Sequence, residues 1–399
     1  MIDKVLLSTP HMSGNELKYI ERAFKLNYIA PVGENVDLFE ESIKNYSGTS
    51  SALATNSGTA AIHLALILAG VGPGDLVICQ SFTFAGSANP IKYLGAIPVF
   101  VDSEEDTWNM DPIALEQAIQ SAMKGELDNY SDLIEIKNIK PQKPKAILPV
   151  HLYGMPAKME EILRISEKYK IPVIEDAAEA LGSSIKGQRC GTFGDMGIYS
   201  FNGNKIITTS GGGALISNEK KYIDEARFLS AQARDNFAHY EHSKIGYNYR
   251  LSNIAAGIGI AQMEVIEDRV KRRRANFDLY QQYLKEENSI SFLEEPHNYK
   301  SNRWLTTILI KDGSEQIRED LRKSLEFMGI ETRPLWKPMH LQPIFRGYPY
   351  FGSDFSEQLF KTGLCLPSGS SLPNETIAMV SSKIKQLIKK KVYTFSEVK

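Results

Sequence analysis

The sequence predicts an α/β fold in which a large domain, built on a mainly parallel sheet, precedes a smaller α+β domain. Apolar runs such as LVICQ, IPVFVD and IPVIED each close on a polar group and lack the alternation of a half-exposed strand. Helical segments, such as residues 156–169, lie between these runs. Strands that alternate with helices and are apolar on both faces are typical of a parallel sheet covered on both sides.

The N-terminal elements follow from local signals. Ser13 and Glu16 form a capping-box pattern, which predicts that a helix opens there. Residues 51–55 are predicted to form a short strand. The turn NSGT then leads into an apolar helix over residues 60–69, which is ended by glycines.

The second half of the chain carries weaker patterns. Residues 121–145 are polar and include two prolines, which predicts a solvated excursion between a helix and a strand. A helical pattern over residues 253–284 predicts one long helix, and the segments beyond it read as strands, helices and turns. We therefore expect a large domain over residues 1–260 and a small domain over residues 261–399.

Composition excludes several classes of protein. The chain of 399 residues carries 46 Lys and Arg against 48 Asp and Glu, a formal net charge of -2. This balance argues against a protein whose main partner is a nucleic acid or an anionic membrane. The longest apolar stretch, residues 60–71, is too short to span a bilayer, and the N-terminal segment lacks the apolar run of a signal peptide.

The cysteines do not form a pattern typical of a disulfide or a zinc site. Cys79, Cys190 and Cys365 lie far apart, and no Cys/His spacing typical of a zinc site is present. We expect neither a disulfide scaffold nor a metal site, and the reducing cytoplasm is the expected location.

Polar side chains follow three of the predicted strands, where ligands of open parallel sheets bind. Asp176 closes one strand, and Ser200 closes another with Lys205 just beyond it. The turn at residues 56–59 lies between a strand and a helix N-terminus, whose free N–H groups and hydroxyls suit a phosphate. Alone, that turn is more typical of an ordinary helix cap than of a phosphate site. Lys205, among glycines, is either an amine nucleophile or a surface lysine. Together, a phosphate cradle, a carboxylate and a lysine are what pyridoxal phosphate requires.

The motifs that carry these residues resemble the DegT/DnrJ/EryC1/StrS family of sugar aminotransferases. EDAAEALGS and SFNGNKIITTSGGG carry the resemblance, and NSGTAA, SFTF, VHLYG and GYNYRLSN match in order. The matching motifs run from HMSGNE near the start to LCLPSG near the end, so they cover nearly the whole chain. The resemblance implies the type I (aspartate aminotransferase) fold and a pyridoxal 5'-phosphate cofactor.

The resemblance also implies residue roles. Lys205 matches the lysine that carries the cofactor, Asp176 the partner of the pyridine nitrogen, and Phe84 the aromatic that stacks on the ring. The implied phosphate contacts are Gly58, Thr59 and Ser200, with Ser57 beside them in the same turn. Asn248 matches an asparagine that reaches the phosphate of the neighbouring subunit, which implies a homodimer with shared active sites.

Glu179 departs from the commoner family pattern, which has Gln near the phenolic oxygen of the ring. A carboxylate there would repel an ionised phenolate unless it were protonated or turned away.

The subgroup that the sequence is most similar to is the bacterial UDP-4-amino-4,6-dideoxy-N-acetylglucosamine transaminases of bacillosamine-type pathways. HMSGNELKYI, NYIAPVGE, NGNKIITTSGGG and ETRPLWKPMH carry this similarity. It implies a UDP-linked 4-keto-6-deoxy-N-acetylhexosamine as substrate and L-glutamate as amino donor. The implied substrate loop is Tyr28, Ile29, Ala30 and Pro31. Possible diphosphate or sugar contacts, each equally readable as a surface charge, are Arg250, Arg333, Lys337 and His340.

Three alternatives stay open. The sugar substrate could be GDP- or dTDP-linked. A sugar dehydrase of the same fold typically has histidine in place of the lysine, so Lys205 argues against it. A non-catalytic regulator of this fold would have no need for Lys205, Asp176 and the phosphate cradle together.

Overall fold

A computed structural model of the chain describes residues 4–127, 139–311 and 313–396. The helices in these residues are α1 (Glu16–Lys25), α2 (Glu34–Ser47), α3 (Gly58–Leu68), α4 (Ala85–Tyr93), α5 (Pro112–Lys124), α6 (Met159–Tyr169), α7 (Lys220–Ser230), α8 (Asn253–Met263), α9 (Ile266–Leu284), α10 (Glu315–Phe327), α11 (Phe355–Thr362) and α12 (Asn374–Ser396). The strands are β1 (Ser51–Thr55), β2 (Leu76–Gln80), β3 (Ile97–Val101), β4 (Ala146–Leu148), β5 (Ile174–Asp176), β6 (Ser184–Ile185), β7 (Gln188–Arg189), β8 (Met196–Ser200), β9 (Gly213–Ser217), β10 (Ile290–Phe292), β11 (Tyr299–Lys300), β12 (Thr306–Ile310), β13 (Arg333–Pro334), β14 (Tyr350–Phe351) and β15 (Gly363–Leu366).

The main sheet confirms the predicted mainly parallel arrangement. Its strands pair in the orders β1-β9-β8-β5 and β4-β2-β3-β14, and two parallel bridges next to β4 and β5 join the two groups. Among the described strands of this sheet, only β9 runs antiparallel to its neighbours, β1 and β8. Strands β2, β3 and β9 are buried along their whole length, as expected for a sheet with helices on both faces.

A second sheet lies in the C-terminal part of the chain. Its strands are antiparallel in the order β10-β12-β15-β13, and helices α9, α10 and α12 pack around the same apolar cluster. This agrees with the predicted α+β character. The domain boundary at residue 260 stays a prediction, since α8 spans it and β14 pairs with β3 of the main sheet.

The single helix predicted over residues 253–284 is wrong. Helix α8 ends at Met263, and α9 begins at Ile266, because Val265 leaves the helical region with φ −118° and ψ 10°. The carboxylate of Glu264 at this break accepts hydrogen bonds from Asn15 and Tyr19, which tie the end of α8 to α1. Helix α8 is largely buried, whereas α9 presents a charged face, so the two segments need different directions.

Two smaller predictions are corrected. The capping box is half formed: the Glu16 carboxylate accepts from Ser13 N–H at 2.7 Å, but Asn15 is the N-cap and the Ser13 hydroxyl accepts from Asn15 N–H. The polar stretch over residues 121–145 begins inside α5, which continues to Lys124, and residues 128–138 of it lie outside the described residues. None of the described helices combines the length and the apolar character needed to cross a membrane.

Candidate active site

A cavity of about 340 Å³ lies at the carboxyl ends of the main-sheet strands. Strand β1 leads into it through the turn before α3, β5 ends in it at Asp176, and β8 ends in it at Ser200. The structure places all of the sequence-predicted cofactor residues except Asn248 in its wall. These residues are Ser57, Gly58, Thr59, Phe84, Asp176, Glu179, Ser200 and Lys205.

The start of α3 forms a cradle for an anion. The Ser57 hydroxyl accepts from Ala60 N–H at 3.0 Å and caps the helix. The first helical residues, Gly58 and Thr59, line the cavity at the positive end of the helix dipole. A Cβ atom on Gly213 would lie 2.4 Å from Gly58 N, so only glycine lets β9 pass this close to the turn. The residues present therefore fit a phosphate group.

Asp176 is a buried carboxylate with a fixed orientation. Its side chain accepts from the Ser87 hydroxyl at 2.6 Å and from Ala178 N–H at 3.1 Å, and the residue is 5% exposed. The Ser87 hydroxyl also contacts the Thr83 hydroxyl at 2.8 Å. Thr83, Ser87 and Asp176 are therefore joined by consecutive hydrogen bonds. A buried carboxylate held in this way can stabilise a protonated ring nitrogen.

Lys205 lines the same cavity as Asp176 and is mostly buried. Its Nζ atom is 3.6 Å from a carboxylate oxygen of Glu179 and 4.2 Å from the ring centroid of Trp304. The Trp304 indole is held in turn, because it donates to the Asn204 carbonyl at 2.8 Å. Burial raises the pKa of Glu179, and the positive charge of Lys205 opposes this rise.

Phe84 supplies an exposed ring at the mouth of the cavity. It is 55% exposed although it lies at the N-terminus of α4, and its ring centroid is 5.3 Å from that of Trp336. An aromatic ring left this accessible beside a cavity is available for stacking on a flat ligand.

A second cavity, of about 540 Å³, adjoins the first and shares Asn204, Trp304 and Trp336 with it. Among the predicted substrate contacts it is lined by Arg333, which pairs with Glu331 at 2.8 Å and is exposed on its outer side. The second cavity therefore lies next to the part of the first that Trp304 and Trp336 line.

The remaining predicted substrate contacts line neither cavity. His340 is packed: Nδ1 is 2.7 Å from the Ser81 hydroxyl, Nε2 is 3.3 Å from Glu357, and the ring stacks on Tyr350. Arg250 is half-buried beside β1, and Lys337 also lies outside both cavities.

The predicted substrate loop and Asn248 also lie apart from the two cavities. The loop residues are Tyr28, Ile29, Ala30 and Pro31. All four are exposed, and Asn253 holds the loop through Tyr28 O at 2.7 Å and Ala30 O at 3.0 Å. Asn248 is exposed, and its backbone carbonyl accepts from Asn56 at 3.1 Å on the rim of the first cavity.

Several residues of the first cavity escaped sequence reasoning. Thr83 and Ser87 follow β2, and Trp304 and Trp336 come from the C-terminal part of the chain. Thr83 lies in the SFTF motif, which is a usable signal. Trp336 lies in the ETRPLWKPMH motif, whereas Trp304 lies in a segment without a quoted motif, so only the tertiary fold brings Trp304 to Lys205.

One cavity of an aspartate-aminotransferase-type fold thus contains a lysine, a carboxylate, a phosphate cradle and an exposed aromatic ring. This combination defines a pyridoxal phosphate-dependent enzyme of fold type I.

Comparison with known proteins identifies the family to which this enzyme belongs. The family model of the DegT/DnrJ/EryC1/StrS aminotransferase family matches residues 10–385, so the chain belongs to this family and is an aminotransferase. EpsN of Bacillus subtilis (strain 168), named as a pyridoxal phosphate-dependent aminotransferase, is 50% identical over 94% of this chain and 93% of its own length.

Two further relatives are named for nucleotide-sugar chemistry. GDP-perosamine synthase of Escherichia coli O157:H7 is 36% identical over 94% of this chain and 96% of its own. UDP-4-amino-4,6-dideoxy-N-acetyl-beta-L-altrosamine transaminase of Campylobacter jejuni is 30% identical over 84% of each chain. The crystal structure of a family aminotransferase from Brucella abortus superposes with a TM-score of 0.84 at 29% identity, covering 94% of this chain and 95% of that one.

Proposed function

We propose that this aminotransferase moves an amino group from L-glutamate to C4 of a UDP-linked 4-keto-6-deoxy-N-acetylhexosamine. The observation that carries the proposal is the cavity that joins Lys205, Asp176 and the start of α3, with a second cavity beside it for the rest of a large substrate. The UDP-linked sugar is supported by the subgroup motifs, such as ETRPLWKPMH, and by the name of the Campylobacter jejuni relative.

The proposal gives a chemical task to each of the main polar groups in the first cavity. The start of α3, with Thr59 and Ser200, would hold the cofactor phosphate, and Asp176 would keep a proton on the ring nitrogen. When bound, pyridoxal phosphate supplies a carbonyl that can exchange amino groups and a ring that withdraws electrons. Lys205 acts as nucleophile through Nζ and then moves a proton at the same atom.

A GDP-linked sugar is the one specific alternative to the UDP-linked substrate. The GDP-perosamine synthase relative, at 36% identity, favours a GDP-linked 4-keto sugar. Purified enzyme with glutamate is given UDP-linked and GDP-linked 4-keto sugars separately, and the amino-sugar product is measured by mass spectrometry. We expect a higher kcat/KM with the UDP-linked sugar. A preference for the GDP-linked sugar would refute the UDP assignment while keeping the aminotransferase.

We further propose a homodimer with shared active sites. Asn248 and the loop at residues 28–31 are exposed and line neither cavity of their own chain, which leaves them free to complete a partner's site. Mixing inactive Lys205→Ala with inactive Asn248→Asp subunits should restore activity after exchange, because each heterodimer then has one intact site.

The control is the same mixture kept from exchanging subunits. If Asn248 served its own chain, every site would keep one defect. Absence of rescue, despite proven exchange and a folded, inactive Asn248→Asp protein, would therefore contradict a shared site.

A further inference from the structure

Glu179 is the carboxylate whose role the family pattern leaves open, and two neighbours fix the position of its side chain. One carboxylate oxygen is 3.6 Å from Lys205 Nζ, and the other accepts from Tyr153 N–H at 2.7 Å. The residue is 5% exposed. The side chain is therefore turned toward the lysine amine and held there by a backbone donor.

The backbone around this donor is strained in a way that fixes the carboxylate. Tyr153, a bulky residue, has φ 54°, and Gly154 has φ 87°. Such a conformation costs about 1–2 kcal/mol for a non-glycine residue and is found mainly where surrounding structure enforces it. Here the surroundings include Asn302, whose amide donates to the Glu179 carbonyl and to the Leu181 carbonyl, each at 2.9 Å. Backbone and side chain of Glu179 are thus both held.

The charged groups that face Glu179 are few. Lys205 provides a cation, and Asp176 lies close enough for its negative charge to act on Glu179. The Tyr153 phenol and the Cys365 thiol also face it, but burial raises the pKa of both groups, so they stay neutral. Lys205 is therefore the counter-ion of Glu179 within the cavity.

We propose that Glu179 takes up the proton that the Lys205 ammonium gives up when its nitrogen bonds to the cofactor carbonyl. This rests on the proposed role of Lys205. One ammonium proton moves to the Glu179 carboxylate. The other two N–H hydrogens leave with the carbonyl oxygen as water, and a carbon–nitrogen double bond forms. No proton passes to solvent in this step, and the reverse reaction returns the proton to the amine.

Glu179 takes up the proton because bond formation removes its counter-ion, the Lys205 ammonium. Once the Lys205 nitrogen is no longer an ammonium, an ionised Glu179 would be a buried anion beside Asp176 with one backbone N–H for support. An uncompensated buried charge costs several kcal/mol, so a group in this position binds a proton instead. A neutral carboxyl also avoids repelling an ionised phenolic oxygen on the ring.

The test counts protons and needs no turnover. The apoenzyme is titrated with pyridoxal phosphate by calorimetry in buffers of different ionisation enthalpy, whose slope gives the protons exchanged. Glu179→Gln keeps an acceptor for Tyr153 N–H but cannot take a proton. We expect this variant to release about one proton more per site than the wild type. Protons exchanged by the cofactor phosphate are common to both proteins and cancel.

The matched control is Glu331→Gln. Glu331 lines the neighbouring cavity, accepts from Leu7 N–H at 3.0 Å and pairs with Arg333, but faces no lysine of the first cavity. Its proton count should equal that of the wild type. Lys205→Ala, which cannot form the bond, should show the same count with Glu or Gln at position 179.

Equal proton counts for wild type and Glu179→Gln would overturn the proposal. If Glu179→Gln fails to fold, the wild type alone decides: its infrared difference spectrum should gain a protonated-carboxyl band on cofactor attachment, and absence of that band would refute the idea. Borohydride reduction and peptide mapping distinguish failure of the proposed function from failure of the role of Glu179 alone. A label away from Lys205 would defeat the proposed function itself, whereas a label on Lys205 with equal proton counts would defeat only the role of Glu179.

Discussion

Replacing Gly154 by alanine should destabilise the protein far more than the same change at Gly187. The two glycines have nearly the same positive φ, 87° and 86°. A Cβ atom on Gly187 would meet nothing within 4 Å, whereas one on Gly154 would lie 1.9 Å from Asn302 Oδ1 and 3.2 Å from the Glu179 carbonyl. The pair therefore separates the cost of a left-handed residue from the cost of displacing Asn302.

The magnitudes follow from the contacts. Gly187→Ala should lose about 1–2 kcal/mol, the cost of a non-glycine residue in this conformation. In Gly154→Ala the Asn302 side chain must also move, and Asn302 Oδ1 accepts from Trp304 N–H at 2.8 Å while its amide holds two carbonyls. Leaving a buried donor without a partner costs about 1–3 kcal/mol, and each lost bond about 1 kcal/mol more. With the Trp304 N–H unpaired and one further bond lost, the expected total for Gly154→Ala is roughly 3–6 kcal/mol.

Urea unfolding of both apoenzymes, followed by tryptophan fluorescence, measures this difference as a shift in midpoint at equal slope. The shift should be at least twice as large for Gly154→Ala. Equal shifts would refute the reasoning, since they would mean that Asn302 moves without loss and does not hold the backbone at Glu179 and Leu181 in place.

Three further predictions concern the first cavity. Lys205→Ala should still bind the cofactor through its phosphate, seen by absorbance, but lose about 10²–10⁴-fold in turnover; turnover near the wild-type value would contradict its role. Asp176→Asn should keep the fold by circular dichroism and slow both half-reactions severely with little change in sugar affinity, and normal half-reaction rates would count against it. Ser57→Ala should lower stability toward urea by about 1 kcal/mol, because Ala60 N–H loses its cap at 3.0 Å. No loss would mean that water replaces the hydroxyl.

The sheet and the residues at its strand ends could be predicted because their signals are local. An apolar run that ends in Asp176, and a turn that leads from a strand into α3, each lie within a few residues of one another in sequence. The rule that strand ends of a parallel sheet share one edge then brings these residues together. The structure places them in one cavity.

Contacts between distant segments could not be predicted in the same way. Trp304 reaches Lys205 across the two parts of the chain. The Asn302 side chain accepts from Trp304 N–H and donates to the carbonyls of Glu179 and Leu181. Neither residue belongs to a periodic pattern. His340 illustrates the opposite case: it lies in a recognisable motif but packs between Ser81 and Tyr350 and lines neither cavity, so its role as a substrate contact stays a prediction.

The attachment point of the cofactor tests the central claim most directly. The holoenzyme is reduced with borohydride and digested, and the pyridoxyl-labelled peptide is identified by mass spectrometry. The label should lie on Lys205, which faces Glu179 and Trp304 in the cavity that also holds Asp176. A label on any other lysine, or a folded protein that binds the cofactor without forming a reducible bond, would contradict the account.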